Sequence, residues 1–585
     1  MKANNIIKKC GFLLGSHKKL VKKCIIFAMI SVVFNVASTM FSCFYGINKA
    51  MMSGNIKLIT ISALVMALLG LISIIFFHIA YRLGLKTTKS VSDELRERAF
   101  KKAVYFDVNY FTTHSTGAMI NTIVYDISIF TDGMSYTLQR CARVILEVIL
   151  TLLVITVINA KLSLILWLML PIVSVLVYFV FRKLGKLYDK RREVKKLRVS
   201  HINEGIVGLN TVKSLNLEEK EDRIFKEYNR QHFKVSMKFC YLNEFLWRFF
   251  DICTYVALAI LFLKSYEFKL SYGELYLYYQ IFKSTLYAVI KIANEFDTLT
   301  DTVTAGNKVY SLLTYENLVK DKETTVDFNP EIEKTITFEN VDFTYPNGET
   351  ILKDFNLEIP KNKKFAIVGK TGGGKSTIAN LIYRFYEPSS GKIKIGGIDY
   401  TDFKIQDLHK NIGFILQDPM LFDDTILNNL MYVKEDATSE EIENALKLVG
   451  ADEFVSSLID GINTKIGESG ILLSNGQKQL LALARILLKN PSIIIFDEAT
   501  ANIDSVTELM IQKNIEKIFE GKTCVYIAHR LSTIKNSDTI IYLDNGKIIE
   551  KGSHNELMEL KGKYASLYKN QFLQEELEKI IKTQN

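Results

Sequence analysis

The stretch GKTGGGKST, residues 369–377, is made of four glycines, two lysines and three hydroxyl residues, all types suited to holding phosphate. Gly369 and Gly374 bracket four residues, and Lys375 and Ser376 follow directly. The preceding FAIV reads as a buried strand, and the following STIANLIYRFY as an amphipathic helix. In that setting glycines let backbone N–H groups wrap phosphates, and the helix N-terminus favours an anion. Lys375 then reaches the β- and γ-phosphates of a nucleoside triphosphate, and the Ser376 hydroxyl binds Mg²⁺. The expected nucleotide contacts are Gly369, Lys370, Thr371, Gly372, Gly373, Gly374, Lys375, Ser376 and Thr377.

A second stretch, SIIIFDEAT at 492–500, places four apolar residues before Asp497 and Glu498. Ligands of parallel α/β sheets bind beyond the carboxyl ends of the strands, which suits Asp497 as a second Mg²⁺ ligand. Glu498 is placed to take a proton from an attacking water. A third stretch, LLSNGQKQLLALARILL, opens an apolar-periodic helix behind Ser474, whose hydroxyl suits an N-cap. Two readings of it stand: a plain capped helix, or a second anion-binding helix end that needs a phosphate other than the one on the chain's own loop.

These sites need a sheet to hold them, and the chain after Ile336 alternates short β-rich runs with helical ones, the pattern of a parallel α/β core. The polar, aperiodic LTYENLVKDKETTVDFNPEIEK before it suits a linker. The first half is different. Cys24–Tyr45 contains no charged residue and is about long enough to cross a bilayer. Five more apolar runs follow: 59–80, 144–157, 162–180, 249–263 and a weaker one at 275–292. The first is too long for a signal-peptide core and lacks a small-x-small exit. Pro171, the only proline before residue 330, predicts a kink in the fourth span.

Connections 46–58 and 158–161 are short, whereas 81–139 and 183–246 are long, polar and helical in pattern. Their lysines and arginines, such as Arg96, Arg98, Lys186 and Arg192, put them and the N-terminus in the cytoplasm. Glu147, Arg248, Asp251, Lys283, Lys291 and Glu295 fall within or near the spans, where ionisable groups line a bundle interior or snorkel to its ends. The net charge of +10 fits an anionic inner membrane face. It also suits a soluble nucleic-acid ATPase, which six apolar runs argue against, so no nucleic-acid partner is expected. Seven scattered cysteines with no CxxC pair give neither a disulfide framework nor a zinc site.

With these motifs in place, the chain resembles an ATP-binding cassette exporter of the half-transporter type over nearly its whole length. LSNGQ at 473–477 is similar to the family signature LSGGQ, and TKIGESG before it to the exporter loop that senses the membrane domain. ILQDPMLF supplies a Q-loop glutamine, Gln417; EATANID a D-loop aspartate, Asp504; YIAHRLST a switch histidine, His529. FENVDFTYP matches the segment whose aromatic, Tyr345, stacks on adenine. YFDVNYFTTHSTGAMINTIVYD and INEGIVGLNTVKSLNLEEKE resemble the two cytoplasmic loops, with Phe106, Gly117, Asp126, Glu204, Gly208, Val212 and Lys213 in place. In such loops short coupling helices pass force between domains.

The resemblance implies a membrane α-helical domain of six transmembrane helices at 1–315, a linker at 316–335, an α/β P-loop NTPase domain at 336–572 and a tail at 573–585. It implies ATP and Mg²⁺ as cofactors, with Ser376, Gln417 and Asp497 at the metal. Glu498, His529, Lys375 and Gln417 would be catalytic. Each ATP would lie between the loop of one chain and Ser474, Gly476 and Gln477 of another, with Tyr345 and Asp504 completing the site. The partners are a second copy or a related half-transporter, the lipid bilayer of the cell membrane, and an exported cargo of amphipathic, lipid or peptidic character. Two departures stand out: Asn475 replaces the first signature glycine, and Leu480 stands where many members have arginine. Because Ser474, Gly476, Gln477, Glu498 and His529 are intact, the expected assembly is a homodimer that exports by alternating access. One half of a heterodimer is the alternative, and an ATP-gated channel or regulator on the same scaffold a more distant one. No peptidase domain precedes the first span, which argues against an exporter that cleaves leader peptides. Abundant Lys, Asn and Ile suggest a bacterial chain.

Overall fold

The structure is a computed structural model that describes residues 3–158, 160–267, 270–328, 334–467, 470–497, 520–527 and 534–570. The chain divides into two compact units, and the division does not follow the sequence simply: the first comprises 1–104 and 117–315, the second 105–116 and 316–585.

The first unit is helical. A short α1 (Ala3–Leu14) leads into α2 (Lys18–Phe41) and α3 (Ile56–Val104). Within the excursion to the second unit lies α4 (Val108–Thr113). Then come α5 (Thr116–Asn121), α6 (Ile127–Asp132) and α7 (Leu138–Ile158), joined by π-helical turns at Thr122–Asp126 and Gly133–Thr137. The set closes with α8 (Ala160–Val207), a short α9 (Leu209–Ser214), α10 (Glu218–Ser265) and α11 (Tyr272–Thr314).

By length and composition, four helical stretches among the described residues can cross a membrane: Lys8–Met51, Ile56–Val104, Thr116–Ile158 and Glu218–Ser265. The fourth and sixth apolar runs of the sequence fall in α8 and α11, helices of 48 and 43 residues. At 1.5 Å per residue, helices of this length run roughly 65–75 Å, about twice a ~30 Å hydrocarbon layer. The long polar connections are therefore continuations of the spans. Pro171 lies inside α8, which runs on through it. Helices α2 and α3 approach closely through small residues: Ala28, Ser31, Ser73 and Ala80 are buried, and the Ser73 hydroxyl donates to the Ser31 carbonyl at 2.9 Å. Where lipid surrounds both helices, this close fit takes the place of a hydrophobic driving force.

The second unit is built on two sheets, with a small antiparallel pair of β7 (Asp424–Thr425) and β8 (Lys465–Ile466) beside its helices. A six-stranded sheet orders as β12-β11-β3-β10-β9-β6. These strands are β3 (Lys364–Gly369), β6 (Ile412–Ile415), β9 (Ile493–Asp497), β10 (Thr523–Ile527), β11 (Thr539–Asp544) and β12 (Lys547–Gly552). All are parallel except the edge strand β12. A four-stranded antiparallel sheet, β2-β1-β4-β5, packs beside it, made of β1 (Ile336–Thr344), β2 (Thr350–Ile359), β4 (Ser390–Ile395) and β5 (Ile398–Asp399). The two faces of the parallel sheet feed two cores. Ala366, Val368, Ile494 and Phe496 join one, and Phe365, Ile367, Ile493 and Ile495 the other. This two-sided burial explains why these strands read as unbroken apolar runs. Helix α12 (Lys375–Ile382) follows β3, and α13 (Ile405–Asn411) precedes β6. A helical cluster of α14 (Ile426–Met431), α15 (Ser439–Val449), α16 (Asp452–Ser457) and α17 (Asn475–Lys489) completes the unit, with α18 (His554–Glu559) after β12.

Candidate nucleotide site

The phosphate loop begins where β3 ends. Gly369, at φ +148°, is paired across the sheet with Leu543 of β11, and a Cβ on it would run into the Leu543 carbonyl. Gly374, at φ +99°, makes the left-handed entry to α12. Such a backbone suits glycine alone among residues without strain, so both outer glycines of the motif answer to geometry. Gly372, at φ +80°, has no neighbour within 4 Å of where a Cβ would stand. Lys375 is almost fully buried, and its Nζ donates to the carbonyls of Gly369 (2.8 Å) and Lys370 (2.9 Å). The ammonium thus lies folded into the loop it would share with phosphates. Ser376 is exposed at the first turn of α12, and Thr377, buried behind it, shares a 3.0 Å hydrogen bond with the Tyr345 hydroxyl.

Tyr345 follows β1 and is half-buried. Its ring stands edge-on to Phe343 and Tyr386, with centroids 4.8 and 5.2 Å away. This packing holds an aromatic face beside the phosphate helix. Burial, then the nearby Tyr345 and Asp107, push the Tyr386 hydroxyl above its ordinary range. Asp497 closes β9 in register with Ile527 of β10, which is itself in register with Ile367 of β3. The strand end bearing Asp497 therefore lies level with the strand that launches the phosphate loop. Glu498, Asp504 and His529 lie outside the described residues.

Ser474 caps α17 as its residue type predicts. Its Oγ accepts from the Gln477 amide (3.3 Å), and the Gln477 side chain accepts from the Ser474 amide (2.9 Å), a reciprocal capping box. Ser474 and Asn475 are exposed, whereas Gly476 is buried. Asn475 has no positive φ, so the backbone there does not require glycine. Leu480 is buried in the helical cluster, where it packs as an apolar core residue. Gln417 follows β6 and is exposed, and its carbonyl accepts from the Gln479 side chain at 3.2 Å. One helix therefore presents Ser474 and holds the Gln417 segment. Arg485 of the same helix adds donors to the carbonyls of Asn429 (2.7 Å) and Met420 (2.8 Å).

Two further residues that the motifs did not single out shape this unit. Arg384, just past α12 at φ +58°, has a fully buried side chain. Its guanidinium donates to Glu387 (2.9 Å), to the Phe403 carbonyl (2.9 Å) and to the Lys320 carbonyl (2.9 Å). Asp107 caps α4 by accepting from the Tyr110 amide (3.3 Å), and its other oxygen accepts from the amides of Leu318 (2.6 Å) and Val319 (3.2 Å). Asp321 accepts from the Ile405 amide, and Val326 bridges to Phe403. The stretch that reads as an aperiodic linker is thus strapped along the nucleotide unit in extended form. The short α4 is fastened to the same strap, with Val108 packed on the β1-containing core. An arginine inside the apolar run LIYRFY was the available signal for Arg384; for Asp107 there was only its position before a short helix.

A bundle of helices more than 40 residues long and a P-loop α/β unit with a capped signature-type helix, carried on one chain, define a membrane transporter driven by a nucleotide. Sequence comparison agrees: residues 23–288 match the ABC transporter transmembrane region and residues 352–501 the ABC transporter family. An ATP-dependent lipid A-core flippase of Pseudomonas aeruginosa is 32% identical over 488 residues, 83% of this chain and 80% of that one. A Bacillus subtilis ATP-binding/permease protein whose name assigns it to multidrug export is 31% identical over 487 residues, covering 82% and 84%. Among solved structures, a bacterial Atm1-family ABC exporter with ATP bound superposes with a TM-score of 0.78 at 25% identity, covering 95% of this chain and 99% of that one. The chain belongs to the ABC transporter family, as an exporter half-transporter. It is an ATP-binding, transport-coupled ATPase of the cell membrane whose nucleotide-binding domain is cytoplasmic. Exporters of this kind work as dimers.

Proposed function

We propose that two copies of this chain form a homodimeric exporter, with each ATP held between the phosphate loop of one copy and Ser474, Gly476 and Gln477 of the other. The exposure of Ser474 at the start of a 15-residue helix carries this reading. The chain's own loop already has α12 at its phosphates, so the second helix end suits the phosphates of another copy. Tyr345 would stack on adenine, Lys375 would leave its carbonyl partners for the β- and γ-phosphates, and Asp504 would complete the site. Exposed Ser376, Gln417 and the carboxylate of Asp497 are hard oxygen donors that fit Mg²⁺; when bound, the ion neutralises phosphate charge. Glu498 would accept the proton of the attacking water, with His529 beside the γ-phosphate.

The domain limits we favour are 1–315, 316–335, 336–572 and 573–585. ATP binds the closed pair better than the open one and so turns the membrane domains outward, and hydrolysis resets them. The short α4 and α9 are suited to pass this movement on. The intact Ser474–Gly476–Gln477 face, and a backbone at Asn475 that needs no glycine, favour two equal sites over a heterodimer. The cargo is taken to be amphipathic. The test is ATP hydrolysis by the purified full chain in lipid nanodiscs beside Glu498→Gln. The expected result is robust turnover that falls at least about 100-fold in the variant. Turnover that appears only when a second, related half-transporter is added would overturn the homodimer.

A further inference from the structure

Six ionisable groups lie within or near the apolar runs, and ion pairs among the described residues hold three of them. Arg248 pairs with Glu244 (2.8 Å) and Asp251 (3.4 Å), and Asp251 also accepts from the Tyr287 hydroxyl. Glu295 pairs with Arg140 at 2.8 Å. Glu147, near the middle of α7, differs. Among the described residues its carboxylate has no hydrogen bond and no ion pair, although Arg143 stands one turn away. Instead it lines a cavity of about 190 Å³ between α2, α7 and α11, together with Asn35, Thr39, Thr151, Gln280 and Ser284.

What these side chains offer the cavity follows from where their protons go. Thr39 donates its hydroxyl proton to the Asn35 carbonyl (3.1 Å), Thr151 to the Glu147 carbonyl (2.8 Å), and Ser284 to the Ile281 carbonyl (3.1 Å). Gln280 donates from its amide nitrogen to the Tyr276 hydroxyl (2.8 Å). A hydroxyl has one proton, so the three hydroxyls have only lone pairs left to offer, whereas Gln280 keeps its carbonyl oxygen and one N–H. The ionised carboxylate of Glu147 is an acceptor and never a donor. Asn35 and Gln280 keep both a donor and an acceptor. The cavity is thus a nest of acceptors around one negative charge, the complement of a group that is cationic and rich in N–H donors. It is smaller than the pockets that enclose whole drug-sized molecules, and apolar side chains of the same three helices adjoin it.

From this we infer that the cavity around Glu147 is a head-group subsite for the ammonium of an amphipathic amine cargo. The inference rests on the exporter reading above and narrows its cargo to one charge class. Charge-assisted hydrogen bonds to a carboxylate supply the selectivity, and the tail of the cargo lies along the apolar helix faces.

Equilibrium binding in nanodiscs without nucleotide tests the subsite apart from transport. The probes are radiolabelled dodecylamine and its uncharged counterpart N-dodecylacetamide. The wild-type chain is expected to bind the amine at least about tenfold more tightly, and Glu147→Gln, of the same shape, to erase that preference. Gln280→Leu is expected to weaken amine binding by a smaller factor. Equal binding of the two probes by the wild type overturns the proposal without any variant, as does a preference that survives in Glu147→Gln. Displacement of the amine by sodium chloride, but not by choline chloride at the same ionic strength, would reassign the site to an inorganic cation. If the amine preference holds while ATP-driven uptake of dodecylamine into inside-out vesicles is absent, the exporter reading fails and the subsite stands.

Discussion

On β3 of the nucleotide unit, Ala366, Ile367 and Val368 are wholly buried, whereas Leu64, Leu68 and Ile74 on α3 of the membrane unit are 64, 59 and 67% exposed. The same kinds of side chain serve two different solvents. Water drives the sheet's apolar residues inward on both faces. Lipid tails are as apolar as leucine, so α2 and α3 can turn large side chains such as Leu64 outward and small ones such as Ala28 and Ser73 toward each other. Polar residues divide in the same way. In the nucleotide unit, buried polar groups such as Arg384 are anchors, tied to several partners at once. In the membrane unit, contacts such as Ser31 with Ser73 are light, and a carboxylate with no hydrogen bond among the described residues, that of Glu147, lines a cavity.

That contrast would break first at Arg384. Arg384→Met leaves the carbonyls of Lys320 and Phe403 without their donor and the partly exposed Glu387 without its cation, and each orphaned carbonyl costs about 1–3 kcal/mol. Amide exchange of β3 and β9 in the full chain should then run at least about 100-fold faster. Unchanged exchange would show the arginine to be no anchor. Asp107 should give a smaller and more local effect. In Asp107→Asn one carboxylate oxygen becomes an NH₂ that faces the Tyr110 amide or the amides of Leu318 and Val319, donor against donor. The cost is about 1–3 kcal/mol. Exchange at Leu318 and Val319 should quicken at least about fivefold, while β3 keeps its protection. If β3 loosens equally, the strap is part of the unit's global fold and not a local clasp.

The smallest effect belongs to the membrane unit. Ser73→Ala removes the donor to the Ser31 carbonyl, and hydrogen bonds between membrane helices average about 0.6 kcal/mol. Unfolding of the chain titrated in sodium dodecyl sulfate should shift by less than about 1 kcal/mol. A loss as large as that at Arg384 would erase the difference between the two units.

Much of this was legible because the signals are local. The spacing Gly369-x-x-x-x-Gly374-Lys375-Ser376 between an apolar strand and a periodic helix reports a phosphate loop within about twenty residues, and Ser474 with Gln477 three residues on reports a capped helix. The apolar runs report their own solvent. Tertiary structure alone decided where residues 105–116 belong, because the partners of Asp107 are 211 and 212 residues away. It also decided that the linker is a strap, since Arg384 reaches across 64 residues to Lys320. The surroundings of Glu147 were hidden in the same way: its neighbours come from three helices, and which protons remain free depends on bonds no periodicity records. Sequence fixes what a residue is able to donate, accept or bury, and only the fold determines which distant group stands within 3 Å to receive it.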